Sequence, residues 1–480
     1  MPVDPVRDPS RSSLRAGPWA DATVRDLPDL PSNTWSIIGP GIVAAGVGLS
    51  SGEFILWPFI ASQVGLVFLW GAVIGVVTQF FLNMEVERYT LATGETAITG
   101  FNRLWRHWGL VVAVMVYFAN LWPGWALSSA TIATYLFGGD ARTIATIMLV
   151  VIGASLTLAP VVYVALERLI FVKVAAVVTL AVLAAFLAIE APSWRALPAG
   201  LVNVGYFPPE LSFALLFGAM VFAGAGGGQN LCQSNWIRDK GFGMGRYVPR
   251  LVSPITGTEV ATDRGTLYRF ETTPANMARW RRWWRFANVE QAASFVLVTI
   301  ATIALTSMLA HSTLFGRPSL PNGVAFLEIE GNELAARAGN WFKLLFWATG
   351  AFSLFGSAMG IIDYTSRLAA DILKSTYLTR SAVSESRLYF GLVWGLVAIG
   401  ATILLVGASQ PIVLLVISAS VGGLMMFVYS GLLIAINRRG LPAPIRVRSY
   451  RLASLVWATV LFGLLASITI WEQAGQFWRS

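Results

Sequence analysis

Eleven apolar runs of about twenty residues follow one another along this chain. They fall at approximately 35–62, 66–88, 108–137, 142–163, 166–190, 209–234, 287–311, 341–370, 388–408, 411–437 and 450–471. Runs of that length fit a helix across the hydrocarbon layer and are twice what a barrel strand needs. In lipid every backbone N–H and C=O must be paired within the protein, so the runs specify an all-α polytopic membrane protein. Composition agrees: 56% of residues are hydrophobic and 12% charged, about half the charged share of a soluble domain.

Eleven crossings place the two termini on opposite sides. With the N-terminus in the cytosol, 28 of the 34 Lys and Arg lie on the cytosolic side and six on the other. That is the asymmetry of the positive-inside rule. Arg168 and Lys173 are counted here in a short cytosolic loop between spans four and five. The C-terminus is then outside, and the membrane of a prokaryotic cell would be the inner one. Residues 1–34 are rich in Pro, Asp, Arg and Ser, lack the apolar core of a signal peptide, and read as a flexible cytosolic tail. Residues 35–480 read as the membrane domain, with a cytosolic insertion at 238–286. There, Trp280, Trp283 and Trp284 stand among Arg279, Arg281, Arg282 and Arg285, which suits a helix lying in the headgroups. The net charge of +9 follows from basic cytosolic loops facing anionic lipid. Spread over those loops, it argues against nucleic acid as a partner.

Catalytic and cofactor chemistry has little to work with. Cys232 is alone, His107 and His311 are the two histidines, and no CxxC, HExxH, GxSxG or P-loop pattern occurs. No cofactor is expected, and an enzyme reading lacks its acid–base or nucleophilic constellation.

Two spans carry clustered Gly, Ser and Pro that a spanning helix tolerates only where the break is used. Span one reads Gly39-Pro40-Gly41, then Gly46 to Glu53, then Trp57-Pro58. Span six reads Gly218-Ala219, then Ala223 to Asn230. The breaks are five spans apart, so spans one to five (about 35–190) and six to ten (about 209–437) form two repeats, inverted by the odd helix count. The last span, about 450–471, is an extra helix. Paired interrupted helices point to a transporter binding site. Its candidate residues are Ser50, Ser51, Gly52, Glu53, Gly227, Gly228 and Gln229.

Glu53 costs at least ~2.5 kcal/mol near the bilayer centre and persists where it meets a cavity, a cation or a partner. The competing reading is a structural hydrogen bond, as close helix packing is for Gly71 and Gly75. Asp363, one turn from Arg367, is balanced between a local ion pair and, with Glu53, a proton path. Glu85, Glu87 and Arg88 read as an ion-pair group, Glu290 as interfacial and Gln79 as a helix–helix hydrogen bond. Asn120 with Trp122-Pro123-Gly124 marks a kink.

Gly39-Pro40-Gly41, the polar break ten residues on and Gln63-Val64-Gly65 resemble the Nramp family of metal-ion transporters. The resemblance covers roughly residues 35–437 and is clearest in 37–100. It implies a LeuT-type fold of two inverted five-helix repeats plus an eleventh helix, and transport of divalent metals, usually with protons. The chain departs from the family signature. Where that signature reads Asp-Pro-Gly-Asn, this chain has Ser50-Ser51-Gly52-Glu53. Where it reads Met-Pro-His, the matching stretch is Gly227-Gly228-Gln229. The aspartate and methionine ligands are both replaced, leaving an all-oxygen set suited to hard cations such as Mn²⁺ or Mg²⁺. Two alternatives remain open: a LeuT-fold transporter of a small organic solute, and a membrane sensor that does not transport.

Overall fold

The computed structural model describes residues 19, 21–32, 39–159, 162–248, 267–318, 320–321, 323–407 and 410–477. Residues 1–18, 33–38 and the middle of the insertion, 249–266, lie outside the described residues, as do the tail and loop readings that fall on them.

Among the described residues, ten helical stretches are long and apolar enough to cross a membrane: Pro40–Val64, Leu69–Thr93, Trp108–Phe137, Ala141–Leu158, Leu166–Leu187, Pro274–Leu314, Asn340–Tyr377, Glu385–Val406, Pro411–Arg439 and Ser449–Trp471. The eleventh crossing is split. Phe213–Val221 and Gly228–Lys240 are short half-helices separated by the glycine run, and together they supply span six. Span one is likewise two pieces. Helix Pro40–Gly48 stops, the chain turns at Leu49 and Ser50, and a π-helical turn Gly52–Leu56 leads into Trp57–Val64. Span three is interrupted between Trp108–Ala119 and Gly124–Phe137, at the predicted kink.

Burial sorts the spans. The apolar stretches of spans one, two and eight are 72–89% enclosed by protein, whereas those of spans four, five, nine and eleven are no more than 39% enclosed. The broken span one therefore lies inside the bundle, screened from lipid by the others. Beyond the spans, helices Ala191–Val202 and Phe326–Ala338 follow spans five and seven.

Three regions differ from the sequence reading. The N-terminal segment Asp21–Ser32 is docked. Thr23–Val24 pairs in parallel with Tyr268–Arg269, Leu27 is buried with its N–H donating to Asn276, and Asp29 pairs with Arg279 and Arg282. The insertion's tryptophans turn inward. Trp280 and Trp283 are buried against Phe270 and Phe242, and the Trp283 indole donates to the Pro28 carbonyl. They are the core of a small domain that grips the N-terminal segment. Only Trp284 stays half-buried, under the guanidinium groups of Arg88 and Arg451. Lys173, counted above in a loop, sits inside span five and is fully buried.

Buried ion pairs and hydrogen bonds join the spans on the side that carries the basic loops. Arg367, wholly buried, joins Asp239 of span six at 2.6 Å and Asp363 at 2.9 Å. Tyr389 of span nine donates to Asp363 at 2.6 Å. Glu85 pairs with Arg88 at 2.6 Å. Glu290 is buried and accepts from the Gly41 N–H at 3.0 Å, anchoring the start of span one to span seven.

Candidate functional site

The breaks of spans one and six touch. A Cβ on Gly48 would run into the Gly224 carbonyl, and one on Gly52 into the Phe222 carbonyl. Glycine is required at both positions because two backbones meet with no side chain between them. In span six the glycines also carry the turn itself: Gly224, Gly226 and Gly227 have φ of +109°, +63° and +56°. L-residues with a Cβ rarely adopt such angles.

One side chain organises the span-six break. The Gln79 carboxamide donates to the carbonyls of Val221 at 2.9 Å and Ala223 at 3.0 Å, and accepts from the N–H groups of Ala225 and Gly226 at 2.9 and 2.8 Å. Buried backbone groups freed from a helix need such partners. Gln79 is thus the helix–helix hydrogen bond read from sequence, but its partner is unwound backbone.

Span one is held from span eight. Ser353 Oγ donates to the Leu49 carbonyl and Ser357 Oγ to the Val47 carbonyl, both at 2.7 Å. Glu53 folds back onto its own turn, accepting from the Ser50 N–H at 2.8 Å. Its other oxygen is buried without a hydrogen-bond partner. A carboxylate capping free N–H groups at a helix start is favourable, so part of Glu53 does a structural job.

A cavity of about 280 Å³, its open mouth included, lies where the breaks meet. Ser50, Ser51, Gln229, Trp125, Phe222 and Tyr364 are among its lining residues. The Trp125 indole donates to Ser51 Oγ at 3.0 Å, and the Gln229 amide donates to the Ala44 carbonyl, tying span six to span one. Of the residues proposed from sequence, Ser50, Ser51 and Gln229 come together on this cavity. Gly52 makes the backbone contact, and Gly227 and Gly228 open the second half of span six. Glu53 lies beside the cavity rather than on its lining. Asp363 is committed to Arg367 and Tyr389 and is also absent from the lining. Asn120 accepts from the Tyr364 hydroxyl at 3.2 Å and donates to Thr365, bracing the span-three break against span eight. No group of three or more His, Cys, Asp or Glu is placed to hold a metal among the described residues.

Half-helix ends meet at this cavity in both senses. Pro40–Gly48 and Phe213–Val221 end there with carbonyls, and Gly228–Lys240 begins there with N–H groups. Polarity at such ends can attract ions of either sign. The overall fold recurs in solved structures. The Eremococcus coleocola manganese transporter, in complex with an aromatic bis-isothiourea substituted compound, is similar over 95% of this chain and 91% of that one, with TM-score 0.66 at 11% identity. A mutant of that transporter gives 0.65 at 12% identity over the same shares. The chain has the LeuT-type transporter fold. MhsT in complex with L-phenylalanine is similar too, at TM-score 0.53 and 11% identity, over 93% of this chain and 99% of that one. No family model and no curated protein matches the chain. The LeuT-type fold with eleven crossings makes this an integral, multi-pass membrane protein, and it fits the Nramp-like resemblance of residues 35–437.

Proposed function

We propose that this chain is a secondary transporter that moves a divalent metal cation, Mn²⁺ or Mg²⁺, by alternating access. The observation that carries this reading is the contact of two broken helices around a cavity with oxygen-bearing lining. Ser50, Ser51 and Gln229 supply neutral oxygens, and Glu53 supplies the negative charge from beside them. A rotation of the Glu53 side chain away from the Ser50 N–H would bring a carboxylate to the cation. Hard cations take such ligands, and Mg²⁺ keeps part of its water shell. The same carboxylate is the proposed carrier of a coupled proton. The basic-loop side is the cytosolic one by the positive-inside asymmetry, with the N-terminus inside, the C-terminus outside and anionic lipid against the basic loops.

A second reading keeps the fold and changes the cargo to a small organic solute. It is favoured by Trp125, Phe222 and Tyr364 on the cavity wall and by the absence of a carboxylate there. Ligand-dependent thermal shifts of the purified protein separate the two. Saturable stabilisation by Mn²⁺ or Mg²⁺, weakened in Glu53→Gln, supports the cation reading. Stabilisation by amino acids or amines, with none by either cation, replaces it with the second.

A further inference from the structure

Span two carries a carboxylate that neither reading uses. Glu87 is wholly buried, and both of its oxygens lack a hydrogen-bond partner among the described residues. A buried charge left this way is costly unless something pairs with it. Glu290 of span seven lies in electrostatic range of it and is itself more than nine-tenths buried. One Glu290 oxygen accepts from the Gly41 N–H, and the other has no partner. Gly41 leaves the room for that carboxylate, since a Cβ there would stand 2.4 Å from Glu290 Oε2. The neighbouring bases are engaged elsewhere. Arg88 pairs with Glu85 at 2.6 Å, and Lys240, in electrostatic range of Glu290, pairs with Glu167 at 2.7 Å.

Span six points another unpartnered group at the same place. Spans two and six run in the same direction and touch where the Asn230 amide donates to Asn83 at 2.7 Å. Glu87 is one turn beyond Asn83 and Gln233 one turn beyond Asn230, so the two stand at one level. Span one runs the other way. Gln229 reaches its Ala44 carbonyl, so Gln233, one turn on, stands level with Gly41, where Glu290 is bound. Gln233 follows Gln229 by four residues and Asn230 by three, and its side chain therefore projects between theirs, into the seam of spans one and two. It is wholly buried, and neither polar atom of its carboxamide has a partner. Thr90 Oγ1, one turn beyond Glu87, has none either. Two carboxylates match the charge of a divalent ion, and carboxamide and hydroxyl oxygens are ligands that a hard cation takes. We propose that Glu87, Glu290, Gln233 and Thr90 form a second divalent-cation site, on the basic-loop side of the cavity, between spans one, two, six and seven. The inference deepens the cation reading, on which it rests: this site is the next stop for cargo passing between the cavity and that side. Binding there leaves the brace on Gly41 in place, because the cation takes the Glu290 oxygen that the N–H does not.

The test is a Mn²⁺ titration of the purified, full-length protein in lipid nanodiscs, with free Mn²⁺ counted by electron paramagnetic resonance. Wild type is expected to bind two Mn²⁺ per chain. Glu53→Gln should lose one of them and keep the other. Glu87→Gln should lose or weaken the second by at least ~10-fold, since even the outer partners of metal ligands are worth that much, and should keep the first. In EDTA, Glu87→Gln should melt no lower than wild type, because it exchanges an unpartnered buried carboxylate for a neutral group of the same shape. A carboxylate with a merely structural role would instead lower Tm and leave Mn²⁺ binding alone. If Glu87→Gln does not fold, Glu290→Gln, which keeps an acceptor for the Gly41 N–H, carries the same test. One Mn²⁺ per chain, lost in Glu53→Gln and unmoved by Glu87→Gln or Glu290→Gln, overturns the inference and leaves the cation reading standing. Folded wild type that binds no Mn²⁺ overturns both.

Discussion

The two broken helices reach the same end by different means. Span six breaks where three of its glycines sit at positive φ, and one carboxamide, Gln79 of span two, takes up the backbone groups they release. Span one breaks with no residue in the left-handed region. Its turn at Leu49 and Ser50 persists because Ser353, Ser357 and Glu53 hold it from outside or fold back on it. The span-six turn rests on torsions that glycine adopts without a steric penalty and on one buried carboxamide. A break held by side chains of other helices can re-form differently when those helices move. On this comparison span one, held from span eight, is the half expected to respond when that helix moves, and span six the half expected to keep its turn.

Several substitutions can break or sharpen the contrast. Gln79→Leu should have the largest effect. It strips partners from four buried backbone groups at once, each worth ~1–3 kcal/mol when left unmade, for a total of about 4 kcal/mol or more. The expected outcome is loss of monodisperse protein on size-exclusion chromatography, and a variant as stable as wild type would remove Gln79 from the account. Gly48→Ala comes next. It forces a methyl group against the Gly224 carbonyl and should cost ~1–3 kcal/mol as an overpacked contact, read as a lowered Tm. Gly226→Ala adds ~1–2 kcal/mol of torsional strain at a position where the new Cβ would also stand 2.9 Å from Phe222.

Span one should be gentler in stability and sharper in function. Ser353→Ala removes a single hydrogen bond, worth ~1 kcal/mol, yet loosens the moving half, so transport should fall more than Tm does. If Tm and flux fell in the same proportion as in Gly226→Ala, the contrast between a fixed and a responsive break would disappear. Glu53→Gln should have the smallest effect on stability, within about 1 kcal/mol, since the amide oxygen still accepts from the Ser50 N–H.

Much of this was legible in the sequence. The eleven crossings, both break positions and their spacing by five spans follow from run length and from glycine, serine and proline clusters, which are local signals. The meeting of Ser50, Ser51 and Gln229 also follows, because the inverted repeat brings its two breaks together. What escaped depends on partners far along the chain. Gln79 looked like any polar residue in a span, since its partners lie more than 140 residues on. Lys173 was counted in a loop because it lies near the start of an apolar run, and nothing local distinguishes a buried lysine from an interfacial one. The tryptophans of the insertion share the composition of a headgroup helix, and only the docked segment Asp21–Ser32 gives them an interior to face. Two-residue strands such as Thr23–Val24 leave no periodic trace.

Flux into proteoliposomes tests the central claim most directly. Wild type and Glu53→Gln, each shown to be folded, would be compared for Mn²⁺ and Mg²⁺ uptake with a pH-sensitive dye in the lumen. The account predicts saturable uptake of at least one of the two cations by wild type, lost in Glu53→Gln while its Tm is nearly unchanged. Folded wild-type protein that carries neither cation would contradict it.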